Sequence, residues 1–401
     1  MSVFNYNHNG IDYTKFADDP LVAVKIAQQM EEGYVAESLF EPLMGSSQDR
    51  PIRTYPHATM NPYRPKLSDQ LLGDGVQGNT DLDRNIDSFN RYSQTIYPMV
   101  KRNSLLSEIK EYRDIKDPDF VRDSEHKLTN WLTNQSDRMI IAAMSADMTN
   151  VVCASKNGKG YIDGKGKNSV KEYCSEITAG DVVSVGTIKK AISMARFGIK
   201  YNGEETFSLR PSRISQMTEG GIKIFKTSYL VLLDNYQAEQ LQADPVWIDM
   251  HARAGTRGYA ENKLFSGLLG EIDNCPVINM GIWTKTQPGF LNTDVPQTDF
   301  EKYVNDAIRK NSSFVLGDYA GKADKSTSIG AVIGGTGIAY VGSPVSFIID
   351  NTADSGTKIK CAVSKVLGVA KTCYEVNNED TMSPLYHNQD FGVIGIISSK
   401  E

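Results

Sequence analysis

The sequence of 401 residues predicts an α+β fold. Three observations carry that reading. Segments with helical period and segments with strand period occur in mixed order, neither strictly alternating nor all of one type. One helical signal runs several-fold longer than an ordinary helix. Between the first helical signal and the rest lies a long Pro/Gly-rich stretch with little capacity to form a core. Hydrophobic residues make up 40% of the chain, enough to bury a core, which excludes a disordered, collagen-like or coiled-coil chain.

The elements follow in order. Residues 1–19 are polar, rich in Asn, Asp and Tyr, and lack any period, so they read as an extended arm. Asp19-Pro20 is a helix start, a capping carboxylate followed by proline at the first helical position. Leu21, Val24, Ala27 and Met30 then place one apolar face, and the helix is expected to reach Gly33 and resume toward Phe40. From Gly45 to about Arg91, prolines at 51, 56, 62 and 65 and glycines at 73, 75 and 78 leave few consecutive apolar residues. So long a stretch with so little core is uncommon inside a compact domain. It reads as a linker or as a two-stranded excursion packing outside its own domain, with residues 50–85 expected against a neighbouring subunit.

Asp117-Pro118 repeats the helix-start signal. Leu128, Trp131, Leu132, Met139, Ala142, Ala143 and Ala146 then predict a buried stripe on one helix over about 118–148. That is a rod of about 45 Å. Residues 120–127 are charged nearly all round, so this end is expected on a surface or against another subunit. Residues 156–168 form a Gly/Lys-rich loop, read as a solvated hairpin tip. Ile188, Ala191, Ile192, Ala195 and Ile199 predict a helix from about Thr187, ended by Asn202-Gly203. Gly221 to Asp234 reads as one central strand, 236–243 as a short helix, and Cys275 to Met280 as a strand. A helix is expected over 299–310 and strands over 313–319, 343–350, 358–363 and 390–397.

The residues offer little chemistry. Lys plus Arg total 43 against 49 Asp plus Glu, a net charge of −6 that argues against a dedicated nucleic-acid-binding domain. Cys153, Cys174, Cys275, Cys361 and Cys373 are odd in number and share no C-x-x-C spacing, so they read as free buried thiols. No apolar run is long enough to cross a membrane, and the first residues do not resemble a secretory signal, so a cytosolic setting without membrane partners is expected. The histidines at 8, 57, 126, 251 and 387 are scattered and form no metal-binding pair. No nucleophile elbow is present. Ile329 to Gly337 lacks the G-x-G-x-x-G spacing and precedes strand-like residues, so a glycine-rich turn between strands is favoured over a nucleotide loop. No catalytic, cofactor-binding or metal-binding residue is assigned, no cofactor is implied, and no enzymatic activity is expected.

The block Tyr229 to Trp247, a strand ending in a polar turn and a short helix before Leu241-x-x-Asp244-x-x-Trp247, resembles a segment of tailed-bacteriophage major capsid proteins. Leu264 to Ile278 is similar to that family's Phe-x-Gly-x-x-Gly-x-Ile motif followed by a strand. The glycine-rich Leu72 to Asp83, Ala179-Gly180-Asp181 before a helix, and the closing Asp390 to Ile394 resemble further family segments. The likeness spans roughly residues 40 to 397, and the order and spacing of its motifs carry its weight. The subgroup it resembles is that of N-four-like podoviruses.

The resemblance implies the Hong Kong 97-like coat fold. Residues 1–45 would form the N-terminal arm and first helix, 46–100 the extended loop (E-loop), and 101–180 a peripheral domain with the spine helix at about 118–148. Residues 181–345 would form the axial domain, and 346–401 strands returning to the peripheral domain. The implied function is self-assembly into pentamers and hexamers of an icosahedral virion shell, built in the host cytoplasm around double-stranded DNA. Portal, scaffolding and decoration proteins would be further partners. No residue pair matches the Lys–Asn cross-link of some relatives. The net charge fits a wall that touches DNA nonspecifically, through lysines such as Lys159, Lys165 and Lys167, without gripping it. The rival readings are another self-assembling phage part, such as a tail-tube or decoration protein, and a nucleotide-binding enzyme built on residues 330–337.

Overall fold

The computed structural model describes residues 7–8, 11–12, 20–68, 76, 91–108, 118–145, 148–219, 222–255, 268–281, 327–376 and 386–400. Strands β1 (Asn7–His8) and β2 (Ile11–Asp12) pair ahead of helix α1 (Pro20–Glu37). Then come β3 (Met44–Gly45), β4 (Ile52–Pro56), β5 (Lys66–Ser68), β6 (Arg91–Ser93) and β7 (Met99–Leu106). Helix α2 (Pro118–Ser145) leads to β8 (Val151–Cys153), α3 (Val170–Cys174) and α4 (Val185–Phe197). A hairpin of β9 (Arg213–Glu219) and β10 (Ile222–Ser228) precedes β11 (Leu230–Leu233), α5 (Asn235–Ala243) and α6 (Pro245–Gly255). Next are β12 (Leu268–Ile272), β13 (Cys275–Asn279), β14 (Thr327–Ile333) and β15 (Ile338–Gly342). Last are β16 (Ser346–Asp350), β17 (Lys360–Lys371), β18 (Glu375–Val376) and β19 (Val393–Ser399).

Two six-stranded mixed sheets organise these elements. The first runs β16-β17-β15-β4-β3, with β7 on the other side of β17. The second runs β12-β13-β11-β14-β19-β8. Helix α2 buries Val121, Leu128, Leu132, Ile140 and Met144 in the core it shares with α1 and the first sheet. Leu232, Ala331, Ile333 and Val393 of the second sheet reach the same core. The opposite face of that sheet, with Val231, Leu233, Val332, Ile394 and Ile396, packs with Ile188, Ala191, Ile192 and Ala195 of α4. The period-two alternation along β11, β14 and β19 thus splits their side chains between two cores.

Several expectations change. The apolar stripe of α1 is Val22, Ile26 and Met30, spaced by four, whereas Leu21 and Val24 are exposed. Helix α2 buries Val121, Ser124 and Glu125, so its charged first half carries an inward stripe too, and Trp131 is only half-buried. Helix α4 stops at Gly198, whose left-handed φ of 62° ends the helix before Asn202. The expected single strand over 221–234 breaks at Tyr229. Among the described residues β10 pairs only with β9, while β11 enters the second sheet; between them the Tyr229 N–H goes to the Cys275 sulfur at 3.4 Å and the buried Tyr229 hydroxyl donates to the Leu209 carbonyl at 2.9 Å. Strand β4 sits inside the first sheet with Ile52 fully buried, so residues 52–56 pair within the chain's own sheet. Strand β19 lies in the second sheet, whereas β16 and β17 lie in the first. The expected helix over 299–310 and strand over 313–319 fall outside the described residues, as do residues 264–267 of the motif from Leu264 to Ile278 and the glycine-rich segment 72–83 save residue 76.

Candidate assembly surface

The concave and polar parts of the molecule are closed by their own contacts. The cleft lined by Thr149, Asn150, Phe207 and Gln389 has Asp390 at its floor. There the Asp390 carboxylate takes the Lys371 ammonium at 2.8 Å and the Thr149 backbone N–H at 2.8 Å. Burial pushes this carboxyl above the usual range, against the pull of Lys371. Neither group faces solvent, so the pair fixes structure rather than offering an acid or base. Among the described residues no cluster of His, Cys, Asp and Glu could hold a metal ion. Cys153 and Cys174 are buried with sulfurs 3.6 Å apart, and burial drives the Cys153 thiol well up, which keeps it protonated and unreactive. His57 is tied to the Asn61 carbonyl and the Thr59 hydroxyl, while His126 is exposed on α2.

The glycine-rich segment 330–337 is the crossover from β14 in the second sheet to β15 in the first. Its amides are spent inside the protein: Gly334 N–H on the Gly392 carbonyl, Gly335 N–H on Arg210, Thr336 N–H on Arg50. A Cβ on Gly337 would lie 2.8 Å from the Gly392 carbonyl oxygen, so glycine is required for two backbones to cross. With every residue from 327 to 341 buried, no phosphate can enter, and the nucleotide-loop reading is excluded.

What remains open is surface built for contact. The chain leaves the first sheet after β4 and returns at β7. The base of this excursion is stitched by Tyr63 and Ile96, which exchange backbone hydrogen bonds of 2.9 Å, and by Tyr55 and Tyr63 rings 5.2 Å apart. Strand β7 pairs with β17 along eight registered positions, and among the described residues no strand lies on its other side. Apolar side chains stand exposed on several elements: Leu21 and Val24 on α1, Leu106 on β7, Phe197 on α4, Val246 and Ile248 on α6, and Ile348 on the margin strand β16. Sequence reasoning missed these. In the run Val246-Trp247-Ile248 a signal was present, since a helix can turn only one of three consecutive apolar residues fully inward, here Trp247.

No helix of the described residues is long and apolar enough to cross a membrane. A family model described as phage capsid protein matches residues 17–400. Over 404 aligned positions the chain is 32% identical to "Major structural protein ORF14" of Helicobacter pylori bacteriophage KHP30, covering 98% of this chain and 99% of that one. The head structure of Helicobacter pylori bacteriophage KHP40 superposes with a TM-score of 0.73 at 34% identity, covering 91% of this chain and 92% of the other. The acidic stable capsid structure of bacteriophage KHP30 gives a TM-score of 0.70 at 35% identity, with the same coverage. These relatives carry the capsid family and the Hong Kong 97-like fold. The chain belongs to the phage capsid protein family, as a major structural protein of the virion and not an enzyme.

Proposed function

We propose that copies of this chain close into pentamers and hexamers and that these tile an icosahedral shell around duplex DNA. The observation that carries this is the excursion between β4 and β7, stitched at its base yet leaving β7, among the described residues, with an open edge. An open strand edge is a template for a second chain unless something covers it. Exposed apolar groups on α1, α6 and β16 supply further separate patches. Heterologous contacts between unlike patches generate rings where the rotation closes. Many such contacts per subunit hold a shell although each is weak.

In this reading the first sheet with α1 and α2 is the peripheral domain and α2 its spine. The second sheet with α4 and α5 is the axial domain, residues 1–45 contain the arm, and 57–98 are the E-loop. Portal, scaffolding and decoration proteins are further partners, and assembly takes place in the host cytoplasm. Electron microscopy of the concentrated, purified protein tests the reading. Rings of five or six and closed shells are expected; tubes, or a species that stays monomeric at every concentration, would overturn it.

A further inference from the structure

Positive charge is concentrated in one part of this acidic chain. Residues 156–200 carry nine Lys or Arg against four Asp or Glu, a net +5, so the remainder carries −11. The loop that bears much of this charge is tightly built. Asn157 Oδ1 accepts the N–H groups of Lys159 at 3.1 Å and Gly160 at 2.9 Å, and its amide donates to the Tyr161 carbonyl at 3.0 Å. The buried Asp181 carboxylate takes the Lys156 N–H at 3.0 Å. The loop lies directly on the first turn of α4: Thr187 donates to the Gly160 carbonyl, and a Cβ on Gly186 would run into the Lys159 carbonyl. Lys190 of α4 sits 5.4 Å over the Tyr161 ring and closes the seam.

Loop and helix therefore form one surface. On it Lys156, Lys159, Lys165 and Lys189 are exposed and, among the described residues, make no ion pair, whereas Lys167 is taken by Glu176 at 2.8 Å. The Lys159 backbone lies against the first turn of α4, whose positive dipole end adds to the charge of this surface. Four unpaired ammonium groups on a fixed scaffold, in a chain otherwise negative, complement a polyanion. The groups are point charges without the planar forks or side-chain amides that read base edges.

We propose that this lysine surface is the wall of the shell that faces the packaged duplex, touching its phosphates without regard to sequence. The inference rests on the reading of a shell closed around DNA. It assigns the contact to Lys156, Lys159, Lys165 and Lys189, with Lys167 held back by Glu176.

Two measurements test it. The first is duplex binding by the purified protein across a salt series. Four phosphate contacts give a log–log slope of about −3.6, so affinity falls on the order of a thousandfold between about 20 and about 150 mM salt. The variant K156Q/K159Q/K165Q/K189Q, all exposed positions, should keep the thermal midpoint of the wild type and lose the slope. The second is acylation of lysines in intact, filled particles by an amine reagent too large to cross the shell, compared with opened particles. These four lysines should label only after opening. Labelling in intact particles overturns the inference and leaves the shell itself standing. So does a folded quadruple variant that no longer assembles, since the surface would then join copies of the chain. An unchanged salt slope in the variant overturns it as well. Failure of the wild type to form shells at all would instead defeat the proposed function.

Discussion

The two glycine-rich segments of this chain read alike in sequence and do opposite things. Residues 330–337 cross between the sheets in complete burial, and residues 156–168 lie at the surface with their lysines in water. Each is governed by a carboxylate. At the crossover, Asp390 is buried beside Lys371, next to the strand ends whose Thr372 N–H and Gly392 carbonyl clamp Gly337 and Gly334. At the loop, Asp181 accepts three hydrogen bonds, from the Lys156 and Thr178 backbones and the Thr178 hydroxyl. Glycine content alone therefore does not say whether a segment is free for a ligand. The disposition of its amides and carbonyls does.

The largest expected effect that would break this contrast is at the buried pair. Lys371→Met leaves the Asp390 carboxylate without its cation and should cost about 3–5 kcal/mol, read by urea denaturation. A loss below about 1 kcal/mol would show that the pair does not hold the crossover. Next comes Gly392→Ala, whose Cβ would stand 2.6 Å from the Gly337 Cα, with backbone on both sides. We expect a loss of about 3 kcal/mol, and a thermal midpoint equal to the wild type would mean that the crossing has room.

A smaller effect concerns the loop and pH. Burial works to raise the Asp181 carboxyl, but the hydrogen bonds from Lys156 and Thr178 prevail and hold it below its usual value. A carboxylate depressed in the folded state adds stability above its unfolded pKa of about 3.9, and that stability is lost as pH falls through the folded value. Cleavage after Lys156 and Lys159 by an acid-tolerant lysine-directed protease should therefore accelerate below about pH 4. In Asp181→Asn it should be fast at neutral pH as well, and equal rates for variant and wild type at pH 7 would remove Asp181 from this role. The smallest effect is Gly158→Ala, where nothing lies within 4 Å of the added Cβ. A change within about 0.5 kcal/mol is expected, and a loss near that of Gly392→Ala would erase the difference between the segments.

The parts of the fold legible in the sequence are those where one face decides the element. Helix α4 shows Ile188, Ala191, Ile192 and Ala195 at helical spacing, and all four are buried. The turn after β14 was legible because strand-like residues follow its glycines. The break at Tyr229 was not, since no Gly or Pro marks it and the Tyr229 N–H finds its partner in Cys275, far along the chain. Strand β4 was hidden because its partner β15 lies far along the chain and local composition is dominated by prolines. The outward face of α1 was misread for a simpler reason. Leu21 and Val24 are as apolar as Val22 and Ile26, and spacing by three and by four fit a short helix equally well. Contact surfaces between copies leave little periodic trace, because they are mixed in polarity like the rest of a protein exterior.

The position of β19 sets a clock. This strand lies between β14 and β8, bonded antiparallel to one and parallel to the other. Until residues 393–399 are made, β8 has no sheet to join, and the second sheet stops at an open β14 edge. In the first sheet, β4 likewise waits for β15, with Ile52 paired to Ile338. Pairings of such long sequence separation form late and slowly. A growing chain on the ribosome therefore cannot present a finished sheet to a neighbour. In the assembly proposed above, a subunit becomes competent to join its neighbours only once β15 and β19 are in place.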